Sequence, residues 1–156
     1  MAVDAAAKQI EMALTYYDLR RYPESEAALR KALMIEPGNA RAHAWLAFAL
    51  EAQSSRANPQ PERLKEALRE AKAAVSADPG AVQGYNALGW VSLALHKPDD
   101  ALRAGAEFLR LDPASGQRAT AGAVAAHPGP ERLPRAARSR VEWFDHGQCD
   151  PDGDGQ

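Results

Sequence analysis

Small and apolar residues recur along this chain at steps of three and four, the spacing that stacks side chains on one face of a helix, and each run stops at proline or glycine. Met12, Ala13 and Tyr16 begin the first series, and Ser25, Leu29 and Ala32 continue it. Between them, Tyr22-Pro23-Glu24 predicts a turn whose proline enters the first turn of a second helix, where its missing N–H costs nothing. His43, Leu46, Ala47 and Leu50, followed by Ala67, Ala71 and Ala74, make a second pair. Tyr85, Leu88, Gly89 and Ser92, followed by Ala101 and Gly105, make a third. Glu36-Pro37-Gly38, Asp78-Pro79-Gly80 and Asp112-Pro113 close the pairs, because none of these sequences carries a helix onward. The pattern predicts an all-α chain built of helix-turn-helix units.

The closing prolines keep a regular beat. From Pro79 to Pro113 is 34 residues, whereas from Pro37 to Pro79 is 42, an excess of 8. The turn-rich stretch 54–61 predicts a lengthened connection, an insertion at about 52–61 that ends where Pro61-Glu62 opens a helix. These positions and this period resemble the tetratricopeptide repeat: Tyr85, Leu88, Gly89, Ser92, Ala101, Gly105 and Pro113 stand where that pattern has Trp, Leu, Gly, Tyr, Ala, Phe and Pro. Ser92 and Gly105 are smaller than the pattern, and Phe108, one turn beyond Gly105, is expected to restore the bulk. The resemblance covers about two thirds of the chain as three repeats. It implies antiparallel helix pairs stacked as a right-handed α-solenoid, with the first helix of each pair lining a concave groove and C-terminal helices capping the last repeat. The repeat domain is expected over 5–127, including an Ala-rich solvating helix capped by Ser115. A C-terminal helix is expected over 128–147, with an apolar face of Leu133, Ala137, Val141 and Phe144, and an acidic disordered tail over 148–156.

The same resemblance places Ile10, Leu14, Tyr17 and Asp18 from the first repeat on the groove, with Arg41, Phe48 and Glu51 from the second and Gln83, Asn86, Trp90 and Leu93 from the third. Trp45 is expected near its edge. Leu14, Phe48 and Trp90 share one repeat offset and are therefore expected to share one environment. In the subgroup that captures acidic C-termini of the major heat-shock chaperones, this surface carries a clamp of Lys, Arg and Asn. Ile10, Leu14, Trp45, Gln83 and Ala87 stand at the corresponding positions here and cannot pair with a carboxylate. An aromatic and aliphatic groove suits an amphipathic helix or an extended segment with apolar anchors, either a partner's or the chain's own C-terminal helix through Trp143 and Phe144.

Composition narrows the alternatives. A chain 46% hydrophobic and 26% charged, with net charge -2, has no field that gathers nucleic acid or anionic membrane, so neither is an expected partner. The arginines at 132, 135, 138 and 140 give one helix a basic, solvated side. His43, His96 and His127 are scattered over separate elements and are expected to be packing or surface residues. One cysteine, Cys149, excludes an intramolecular disulfide and points to a reducing, cytoplasmic setting. Asp150, Asp152 and Asp154 with Gly155 resemble the opening of a calcium loop, but no bidentate glutamate follows them. They read as a solvated acidic tail, so no metal and no cofactor is expected. No Ser-His-Asp or Cys-His arrangement, phosphate loop or paired carboxylate is in place, so no enzyme is expected. The expected role is a protein-interaction module or adaptor; the alternatives are a self-assembling scaffold, homo-oligomeric through the groove or the C-terminal helix, and a small chaperone for secreted proteins.

Overall fold

The computed structural model describes residues 2–54 and 58–115. Six helices make up the compact unit Met1–Leu111: α1 (Ala2–Asp18), α2 (Tyr22–Ile35), α3 (Ala40–Ala52), α4 (Pro61–Ala77), α5 (Val82–Ala94) and α6 (Pro98–Leu111). A proline lies in the first turn of α2, α4 and α6 alike, so each second helix starts where the donor it lacks would have gone unused. Asn39 caps α3 by accepting the Ala42 amide at 2.9 Å. Asp78 accepts the amide of Gly80 at 2.9 Å and turns the chain from α4 into α5.

Each first helix packs against its own second helix, α1 on α2, α3 on α4 and α5 on α6. Three-residue connections at 19–21 and 95–97 force the partners in the outer pairs to run antiparallel. Neighbouring pairs meet through α2 on α3 and α4 on α5. The two rows then differ. α3 lies close to both α1 and α5, whereas no Cα of α2 comes within 8 Å of α4, nor any of α4 within 8 Å of α6. First helices therefore form a tight inner row and second helices a splayed outer one.

Small side chains permit this spacing. Ala6, Ile10 and Ala13 on α1, Ala28, Leu29 and Ala32 on α2, and Ala67, Ala71 and Ala74 on α4 are all buried. α3 is buried almost all round, through Ala42, Ala44, Leu46, Ala47, Phe48, Ala49 and Leu50, because among the described helices it packs against four others, α1, α2, α4 and α5. On α5 the backbone itself makes the contact: a Cβ at Gly84 would stand 3.2 Å from the backbone nitrogen of Val75 on α4.

Long polar side chains bridge the splayed outer row. Glu26 of α2 accepts from Arg30 at 2.8 Å, from Arg63 of α4 at 2.9 Å and from Gln53 Nε2 at 2.7 Å. Arg30 also donates to Glu66 of α4 at 2.8 Å. Burial alone would raise the Glu26 carboxyl, but the bonds from Gln53, Arg30 and Arg63 outweigh it and hold the group below its usual range.

Three expectations are corrected. The eight extra residues of the second unit are not all in the loop: the connection 53–60 is five residues longer than its counterparts, and α4 is three residues longer than α2 or α6. The first turn is 19–21, with Tyr22 already helical. Ser115 does not cap the helix that follows the third unit. Residues 113–115 are already helical, and Asp112, in the second compact unit Asp112–Gln156, receives both the amide and the hydroxyl of Ser115. The expected helices and tail beyond residue 115, with Asp150, Asp152 and Asp154, lie outside the described residues.

The turns at 19–21 and 95–97 close alike. Arg20 and His96 have φ of 58° and 56°. The Arg20 amide donates to Tyr17 O at 2.8 Å and that of Arg21 to Tyr16 O at 2.8 Å; His96 donates to Leu93 O at 2.9 Å and Lys97 to Ser92 O at 2.8 Å. This left-handed closure favours glycine, and neither residue is one. Arg20→Gly and His96→Gly are each expected to stabilise the fold by about 0.5–1 kcal/mol. Urea denaturation should show a higher midpoint with an unchanged slope, and the two gains should add.

Candidate functional site

The inner row presents α1, α3 and α5 side by side, and aromatic rings close the seam between the first two. Tyr17 of α1 stands edge-on to Trp45 of α3, with centroids 5.4 Å apart and planes at 73°. Tyr22, the first residue of α2, meets Tyr17 at 5.2 Å and 64°. One turn along α3, Phe48 lies 5.4 Å from Trp45. Edge-to-face pairs of this kind place the positive edge of one ring on the negative face of another, adding to what burial alone provides. Trp45, expected at the groove's edge, is therefore central to this cluster. Beside it, Arg21 lies over the Tyr16 ring at 4.9 Å.

The expected groove residues divide by exposure. Ile10 and Phe48 are each 2% exposed and belong to the core. Leu14, Tyr17, Trp45, Asn86, Trp90 and Leu93 are half-buried, while Arg41 and Gln83 are exposed. Leu14, Phe48 and Trp90 thus share a repeat offset but not an environment, contrary to expectation. Phe48 sits on α3, which has inner-row neighbours on both sides; α1 and α5 each have one among the described helices. Arg41 pairs with Glu11 of α1 at 2.9 Å, so its charge is already matched across the inner row.

Two titratable groups are held away from their ordinary values on this part of the fold. Glu51, in the last turn of α3, is pushed up from 4.5 to about 7 by burial. Tyr17 is raised above the usual phenol range, first by burial and then by the charge of Glu51, so its hydroxyl keeps its proton. On the opposite side of α3, His43 places Nδ1 2.7 Å from Glu70 of α4 and Nε2 2.8 Å from the Pro37 carbonyl. The bond to Glu70 raises its pKa against the opposing effect of burial. His43 is thus tied into the fold more specifically than its sequence context suggests, because the carboxylate 27 positions away that fixes it follows no local pattern. Among the described residues no group of three or more His, Cys, Asp or Glu is placed to hold a metal ion, and no helix is long and apolar enough to cross a membrane.

The shifts of Glu51 and His43 act on stability in one direction. A carboxyl raised in the fold binds its proton more tightly when folded, so Glu51's contribution is full below its ordinary 4.5 and is lost as pH rises to about 7. A raised histidine is likewise stabilising below its ordinary 6.5 and loses that contribution as pH climbs through its folded value. Glu51→Gln is therefore expected to be more stable than the parent by on the order of 2 kcal/mol at pH 8, an advantage that vanishes by about pH 4. Urea denaturation of both proteins across that range measures it.

Neither a protein-family model nor a curated protein matches the sequence. Solved structures do match the fold. The tetratricopeptide (TPR) domain of Arabidopsis OM64 superposes with a TM-score of 0.63 at 17% identity, covering 72% of this chain and 87% of that one. The first TPR domain of Spaghetti (RPAP3), bound to the HSP90 peptide SRMEEVD, gives 0.62 at 20% identity, covering 78% and 94%. TTC0263, a thermophilic TPR protein of Thermus thermophilus, gives 0.61 at 21% identity, covering 78% and 66%. Helix pairs that follow one another along the chain, stack through alanine and superpose on these domains give this chain the tetratricopeptide-repeat fold.

Proposed function

We propose that this protein is a non-catalytic interaction module whose inner row of helices binds a helical or extended segment of another protein through apolar anchors. The observation that carries this reading is the set of half-buried rings and aliphatic chains, Leu14, Tyr17, Trp45, Trp90 and Leu93, on α1, α3 and α5. Side chains of this size gain from losing their remaining contact with water, and the inner row offers them to a ligand over Ile10 and Phe48 as its floor. Gln83, exposed on α5, supplies a polar group of the kind that holds a ligand backbone.

Protein binding is supported by the shared fold, since the Spaghetti (RPAP3) domain was solved with the HSP90 peptide SRMEEVD. The ligand class proposed here is different. Ile10, Leu14, Trp45, Gln83 and Ala87 stand where a carboxylate clamp would need cations, and Arg41 is already paired with Glu11. An apolar segment fits those residues and an acidic tail does not. A reducing compartment suits the lone Cys149.

Cross-linked capture from a cell lysate, comparing the parent with Trp90→Ala, tests the groove. The parent is expected to retain a partner that Trp90→Ala loses by about tenfold or more while its helical circular dichroism is unchanged. Equal capture by both would end the reading. Sedimentation across concentration separates the competing use, self-assembly: the module reading expects a mass independent of concentration.

A further inference from the structure

Trp45, Phe48 and Glu51 follow one another along α3 at steps of three, so they descend one side of the helix. Tyr17 meets the first of them with ring centroids 5.4 Å apart and feels the charge of the last, so the half-buried Glu51 lies on the ring-bearing side of α3. Glu51 has no cationic partner among the described residues, whereas four glutamates that reach a neighbouring helix do: Glu11 has Arg41, Glu26 has Arg63, Glu66 has Arg30 and Glu70 has His43. Its position makes the lack more costly. It stands in the last turn of α3, where the backbone carbonyls present partial negative charge; at the end of α1, Asp18 adds a negative charge near Tyr17 and Arg20, just beyond, a positive one that acts on the Tyr17 ring's hydroxyl rather than on Glu51.

A half-dehydrated carboxylate with no counter-charge is a group that a ligand can satisfy. The matching chemistry is a cation on an apolar stem. A guanidinium or ammonium reaches the carboxylate, while the stem or the flat guanidinium lies against the tyrosine and tryptophan rings, which attract cations to their faces.

We propose that Glu51, Tyr17 and Trp45 form a subsite for an arginine or lysine of a partner protein's groove-bound segment, with arginine favoured because its plane can both stack on a ring and fork onto a carboxylate. The assignment deepens the groove reading above and rests on it. It commits to a basic and apolar segment from another protein, on the charge complementarity just described.

Two measurements on the full chain separate the subsite from the groove. In the first, N-acetyl-arginine amide and N-acetyl-glutamine amide are titrated while the Trp45 indole N–H signal, assigned with Trp45→Phe, is followed by NMR. A saturable shift is expected with the arginine compound alone, lost in Glu51→Gln and kept in Glu107→Gln, which removes a remote carboxyl on α6. Equal shifts from both compounds, or a shift that survives Glu51→Gln, would overturn the subsite.

In the second, labelled twelve-residue amphipathic peptides that differ at a single position, Arg, Gln or Glu, are compared by anisotropy. The Arg peptide is expected to bind about tenfold tighter than the Gln peptide and the Glu peptide weakest, with the preference gone in Glu51→Gln. Equal Arg and Gln affinities overturn the inference and leave the groove standing. A Glu51-dependent NMR shift with no peptide binding supports the subsite and removes the groove. Replacing the arginines at 132, 135, 138 and 140 by glutamine is expected to leave peptide affinity unchanged; a tenfold gain would assign the cation to this chain's own C-terminal stretch and overturn the choice of partner.

Discussion

The stacking of this protein depends on how closely its helices can approach, and that distance is set by alanine. A crossing lined by Ala28, Ala32, Ala44, Ala47, Ala67, Ala71 and Ala74 brings backbones together without leaving the voids that a row of mismatched large side chains would. Where α5 crosses α4 even a methyl group is crowded, and Gly84 takes its place. α2 and α4 both pack on α3 in this way without approaching each other within 8 Å at any Cα, so the outer row is joined by something longer than a methyl.

That division of labour explains the chemistry of the two faces. On the outer row, arginines and glutamates span a gap that no backbone crosses, and Glu26 collects three donors because one carboxylate can satisfy α2, α4 and the end of α3 together. Partly exposed bridges such as these fix register more than they add stability, since side-chain ordering and screening by water offset much of their attraction. On the inner row the seam between α1 and α3 is filled with rings, which supply area, direction and an affinity for positive charge at once. The rings that close the fold on this side, Tyr17, Tyr22 and Trp45, thus remain half-buried rather than fully enclosed.

Much of the architecture is legible in the sequence because its signals are short-ranged. Pro37, Pro79 and Pro113 mark the period, and the small positions in each second helix mark the faces that pack. What escapes depends on context. Nothing in the composition of Arg20 or His96 announces a left-handed residue, yet the chain must reverse within three residues, and the geometry of that reversal prevails over side-chain preference. The stretch 54–61 is so rich in turn formers that it reads as the whole insertion; part of the excess instead extends α4 by three residues, a length that a proline start cannot reveal by itself. Asp112 reads as an ending because a proline follows it, although Asp-Pro also begins a helix. For the site, depth is not readable: Leu14, Phe48 and Trp90 occupy equivalent positions in three repeats, yet Phe48, on the helix with an inner-row neighbour on both sides among the described helices, is buried deeper than the other two.

Glu51 is where these constraints meet. Its side of α3 is fixed by the three-residue steps from Trp45 and Phe48, and its cost by burial without a countercharge among the described residues. A purely structural position of this kind would be better served by glutamine or leucine, because a carboxyl there weakens the fold at neutral pH and above. Stability lost at one residue on the inner row is the pattern expected where binding rather than folding sets the residue type. In the proposed reading, what the carboxyl lacks defines the charge a ligand brings.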